Sequence, residues 1–140
     1  MTVIAKSLKN LQVEIHAKNH LLIADEPEDD GGDDMGPAPY ELLLSSLAAC
    51  KVMTVHLYAR RKEWPVDTVT IKLNFSRAYA RDVEGAVSPP NHKIGLIDTE
   101  LTFEGDLTEE QIARLADISD RCPVHRTLTN ETIIRKTVTH

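Results

Sequence analysis

Hydrophobic and polar positions divide this chain into short alternating stretches on either side of one long apolar run. Leu11-Gln12-Val13-Glu14-Ile15 alternates and predicts a strand with one wet face. Ala17-Lys18-Asn19-His20 fits a hairpin turn, with Leu21-Leu22-Ile23-Ala24 as the returning strand and Val3-Ile4 as a further strand ahead of both. The acidic run from Asp25 to Asp34 follows. Its Asp/Gly spacing is not that of an EF-hand, so it reads as a solvated loop. A helix is then predicted from Pro39 to Trp64. Pro39 suits the first turn, Glu41 lies near the positive helix end, and Pro65 stops the run. Leu42 to Cys50 carries no charge, and Lys51 is the only formal charge between Glu41 and Arg60. Such a helix is expected to be buried on most sides.

Beyond it, Val69, Ile71, Leu73 and Phe75 alternate with polar residues, and Leu101 and Phe103 do the same before Gly105. The Pro-containing stretch Ala86–Asn91 separates these two predicted strands. Thr108-Glu109-Glu110-Gln111 has the form of a capping box. The helix it opens should place Ile112, Leu115 and Ile118 or Ser119 on one side and end by Cys122, because Pro123 follows. The β-branched segment Thr132 to Thr139 predicts a final strand. Strands, helix, strands, helix and strand in this order give an α+β fold, read as one domain over residues 1–140.

The composition narrows the function. A net charge of −6 argues against a nucleic-acid partner, which needs a basic surface. Aromatics are only 4% of residues, so Leu, Ile, Val and Ala must build the core. The N-terminus lacks the apolar run of a signal peptide, and no stretch is expected to reach membrane-spanning length. The expectation is a cytoplasmic protein with no membrane partner. In a reducing cytosol the two cysteines, Cys50 and Cys122, are poor candidates for a permanent structural disulfide. No Cys-x-x-Cys or Cys/His spacing of a zinc site is present. Cys50 sits mid-helix, where any activating cation or donor must come from another segment. Cys122 is read at a helix C-terminus, where the dipole disfavours a thiolate, with Arg121, His125 and Arg126 nearby. If the two segments meet, those cations could serve Cys50, with Cys122 as its partner thiol.

Gly36-Pro37-Ala38-Pro39-Tyr40-Glu41-Leu42-Leu43-Leu44, Ala48-Ala49-Cys50 and Cys122-Pro123-Val124-His125-Arg126-Thr127-Leu128 together resemble the OsmC/Ohr family of osmotically inducible and organic hydroperoxide resistance proteins. The resemblance implies antiparallel sheets around a long buried central helix, assembled as an intertwined homodimer. It implies thiol-dependent reduction of organic hydroperoxides, with no metal and no bound organic cofactor. Cys50 would become a sulfenic acid, Cys122 would condense with it to a disulfide, and an external dithiol would reopen the bond. Glu41 would assist as a catalytic residue, with Tyr40, His125 and Arg126 lining the substrate site. Two departures stand out. The position of the family's Glu is occupied by Tyr40, with Glu41 displaced by one, and no Arg precedes Arg60 where the family has an N-terminal Arg. The competing expectation is a non-enzymatic dimer of the same fold that binds a small hydrophobic molecule or senses redox state.

Overall fold

The computed structural model describes residues 1–140, which form two compact units, residues 1–45 and 46–140. The first unit holds a three-stranded antiparallel sheet of β1 (Val3–Ser7), β2 (Val13–Ala17) and β3 (His20–Ala24), in the order β1-β2-β3. The predicted hairpin closes with Ala17 opposite His20, and Lys18 takes a left-handed conformation at φ 56°. The acidic run is not merely solvated. It folds around the buried carboxylate of Asp25, which accepts N–H bonds from Glu26 (2.8 Å), Asp33 (3.2 Å) and Met35 (3.1 Å). Burial pushes the Asp25 carboxyl up, but the N–H groups of Met35, Glu26 and Asp33 together bring it below its ordinary value. Asn10 and Gln12 each donate a side-chain bond to Asp33 at 3.2 Å, which ties the β1–β2 turn to this loop.

Helix α1 (Pro39–Lys62) starts in the first unit and continues into the second. Glu41 reaches back from the third helical position to accept the N–H of Ala38 at 3.1 Å, one half of a capping box. The expectation that α1 is buried on most sides is corrected. Its buried residues are Leu47, Lys51, Val55, Tyr58 and Ala59, while Met53 and Leu57 are 63% and 62% exposed. One two-stranded sheet and one short helix can cover a single stripe of it. By length and composition α1 could also cross a membrane, which corrects the reading that no stretch approaches that length. Lys51 divides the run in the sequence but does not make it too polar. In the fold, the same composition serves a core helix.

The second unit contains a long antiparallel hairpin of β4 (Val66–Tyr79) and β5 (Lys93–Gly105), then α2 (Glu109–Ser119) and α3 (Pro123–Thr129). The predicted strands were only the middle of β4 and the C-terminal end of β5. Val69 pairs with Phe103, Ile71 with Leu101 and Phe75 with Ile97, and the pairing runs on through polar residues to Tyr79 and Lys93. Gly105 ends the hairpin at φ 142°, where a side chain would collide with the Pro65 carbonyl. Val55, Tyr58 and Ala59 of α1, Val69 of β4, and Leu115 and Ile118 of α2 form the core. The capping box is complete: Gln111 N donates to Thr108 Oγ1 at 3.1 Å, and Thr108 N donates to Gln111 Oε1 at 2.9 Å. Leu115, Ile118 and Ser119 face inward as expected, but Ile112 lies at the exposed edge.

Two expectations fail near the C-terminus. Cys122 does not end a helix. Pro123, which cannot continue α2, instead opens α3 at its first position. Residues 131–140 form no strand, and Ile133, Ile134 and Val138 are exposed. β-Branched residues favour a strand only where a neighbouring strand is paired with them.

Candidate active site

Three features of the second unit converge: the middle of α1, the turn after α2 and the start of α3. Pro123 holds Cys122 in an extended conformation (φ −68°, ψ 140°), which makes it the N-cap of α3. The thiol then acts as a capping group, with Sγ accepting the N–H of His125 at 3.2 Å. Cys122 is wholly buried, and its sulfur lies in hydrogen-bonding contact with the thiol of Cys50. The two cysteines are therefore brought together.

Burial raises the Cys122 thiol above its ordinary range. The His125 N–H opposes this, the hydrogen bond and charge of Cys50 add to it, and the Lys51 charge again lowers it. Cys122 thus stays protonated more readily than a free thiol. The cause is burial, not the helix C-terminus expected from the sequence.

Lys51 is the feature that sequence reading passed over. It follows Cys50 directly, lies in the apolar part of α1 and is only 2% exposed. Its three N–H donors meet three acceptors: the Ser119 carbonyl at 3.2 Å, Asp120 Oδ1 at 3.1 Å and His125 Nδ1 at 2.9 Å. With all three protons on Lys51, His125 Nδ1 is the acceptor, so the neutral ring carries its proton on Nε2. Asp120 Oδ1 lies 3.9 Å from that Nδ1, and its side chain is largely exposed. A lysine is almost never buried without such partners, and a lone charge in an apolar run was the signal that could have found it. The cation that acts on Cys122 therefore comes from the cysteine helix itself, not from another segment.

Of the remaining sequence candidates, His125 joins this cluster, and Arg126 is exposed. Tyr40 and Glu41 belong to the first unit, where the Glu41 carboxylate caps the helix start. A cavity of about 420 Å³ is lined by Lys51, Asp120 and His125 together with Leu47, Ile97 and Leu128. Neither cysteine lines it. A second group of cations surrounds Tyr58, whose hydroxyl accepts Arg114 Nε at 3.1 Å. Arg61, Lys62 and Arg114 approach its ring at 5.5–5.8 Å. The Arg114 bond lowers the phenol below its ordinary value against the effect of burial, and the charges of Arg114, Lys62 and Arg121 assist.

The fold has counterparts among known proteins. An OsmC-like protein from Mycoplasma pneumoniae superposes with a TM-score of 0.72 at 24% identity, over 91% of this chain and 86% of that one. An organic hydroperoxide resistance protein, OsmC, from Legionella pneumophila gives a TM-score of 0.62 at 20% identity, covering 91% and 87%. The organic hydroperoxide resistance protein OhrB of Bacillus subtilis gives 0.60 at 16% identity, covering 89% and 87%. Among curated protein sequences there is no significant match. The sequence model described as OsmC-like protein matches residues 31–136, and on that match the chain belongs to the OsmC-like family.

Proposed function

We propose that this protein reduces organic hydroperoxides through Cys50 and Cys122. The observation that carries this reading is the contact between the two thiols inside an OsmC-like fold. In the proposed cycle the Cys50 thiolate attacks one oxygen of the peroxide and the O–O bond breaks. The alkoxide leaves, takes a proton and departs as an alcohol, and Cys50 becomes a sulfenic acid. Cys122 then attacks the Cys50 sulfur, a disulfide forms and water leaves. An external dithiol supplies two electrons and two protons to restore both thiols. A buried Cys122 held in its protonated form suits a thiol that waits until Cys50 has been oxidised. The names of the Legionella and Bacillus proteins agree with the substrate class. Glu41, Tyr40 and Arg126 enter the reading only as accessory residues to be tested by substitution.

The working form in this reading is a homodimer in the cytoplasm. Support for the dimer comes from apolar surface that a monomer would leave wet: Met53 and Leu57 on α1, and Val3, Ile4, Leu21 and Leu22 on the first sheet.

The test is a thiol count. Fully reduced protein is freed of reductant, mixed with one equivalent of an organic hydroperoxide, denatured and titrated. Loss of two thiols per chain, abolished in Cys50→Ser, is the expected result. Persistence of both thiols while a thiol peroxidase control is consumed would refute it, and ligand binding by the fold would become the better reading.

A further inference from the structure

We propose that Lys51 is the positioning residue of the dithiol: its ammonium pins the segment carrying Cys122 to the helix carrying Cys50, and it balances the charge on Cys122 as that sulfur attacks oxidised Cys50. The inference rests on the proposed cycle for its chemistry and on the following geometry for its placement. The three acceptors of Lys51 flank Cys122 on both sides, Ser119 and Asp120 before it and His125 after it. His125 is shared, since its ring accepts from Lys51 while its backbone N–H donates to Cys122 Sγ. Lys51 itself adjoins Cys50 in the chain. One buried ammonium thus fixes the turn that bears one thiol against the residue next to the other.

The chemistry asks for such a group. When Cys122 gives up its proton and bonds to the Cys50 sulfur, the S–O bond of the sulfenic acid breaks. Hydroxide leaves and takes up a proton as water. Between proton loss and bond formation a buried sulfur carries negative charge, which a dry site disfavours unless a cation is fixed nearby. The groups that act on that sulfur are Cys50 and Lys51 from α1 and the backbone N–H of His125 from α3, while Asp120 and Arg121 stand within two residues of it in the connecting turn. Among them Lys51 alone is a buried full charge of the required sign.

The test uses the full chain with Cys50→Ser, so that a single ¹³Cβ-labelled cysteine reports the Cys122 thiolate by NMR as pH rises. Adding Lys51→Met is expected to move the midpoint up by about one pH unit. Lys51→Arg, whose larger head group has the adjoining cavity to enter, is expected to keep it. Asp120→Asn, at an exposed carboxylate, retains the ammonium and removes its counter-charge, so the midpoint should fall. An unchanged midpoint in folded Lys51→Met overturns the proposal. If Lys51→Met does not fold, an unchanged midpoint in Asp120→Asn overturns it alone. The NMR arm uses no peroxide, so it can fail or succeed independently of the thiol count.

Discussion

Closing the Cys50–Cys122 bond should change how hard the second unit is to unfold, by an amount that follows from the chain. The two residues enclose a loop of about 72 residues, and chain entropy assigns such a cross-link about 4 kcal/mol at 25 °C. That value applies only where the folded state accepts the bond without distortion. The closeness of the two thiols, with Cys122 wholly buried, is the ground for expecting that it does. For a domain of this size a urea slope of about 2 kcal/mol per molar turns the gain into a midpoint rise of about 2 M. The chain offers a convenient reporter, because its only tryptophan, Trp64, packs edge-on against Tyr58 at 5.6 Å, beside the core of the same unit. The assay is urea unfolding followed by Trp64 fluorescence, with reduced and peroxide-treated samples whose thiol content is measured in parallel. A sample shown to contain the bond whose midpoint is unchanged or lower would refute the claim that the reduced fold already holds disulfide geometry.

Further outcomes follow from other contacts. Leu115→Ala, at a fully buried core position, should cost about 3 kcal/mol in the same urea assay, through lost burial and a residual cavity. Thr108→Ala removes one arm of the capping box and should cost about 1 kcal/mol. Asp25 has a folded-state value below its unfolded 3.8, so its contribution is complete above that pH and is lost as pH falls through the depressed value. Amide exchange in residues 25–35 should therefore be slower in the native protein than in Asp25→Asn at neutral pH, and the difference should vanish in acid. Tyr58 should form phenolate below the usual tyrosine value of 10.0, and an absorbance titration should lose this early component in Tyr58→Phe.

What the sequence made legible was whatever depends on neighbours within a few residues. The capping box, the β2–β3 hairpin and the central helix all follow from local hydrogen bonding or from periodicity, and each is present. The long reach of β4 and β5 was not legible. Their ends, such as Arg77 opposite Gly95, owe their conformation to cross-strand pairing and not to alternation. Pro123 was read correctly as a stop, but a proline that ends one helix is equally suited to begin the next, and α3 was missed for that reason. This changed the chemistry assigned to Cys122, because a helix N-cap supplies an N–H to sulfur where a helix end would have supplied carbonyls. The β-branched tail had no such constraint to enforce it and is not a strand.

Lys51 joins these threads. The pairing of the thiols lies in no single segment, since Cys50 and Cys122 sit on different elements and neither spacing nor composition brings them together. Apolar packing of α1 against α2 could tolerate small slips of one helix along the other. A buried ammonium cannot. Its three acceptors all belong to residues 119–125, and withdrawing that segment would leave a full charge in an apolar interior at a cost of several kcal/mol. The penalty for separating the segments is thus far larger than the attraction between two thiols, and it acts at the residue next to Cys50. A chain with neither the family's Glu in its usual place nor an Arg before Arg60 can still hold a dithiol in register, because the expense of burying one lysine makes the correct arrangement the one in which that lysine is satisfied.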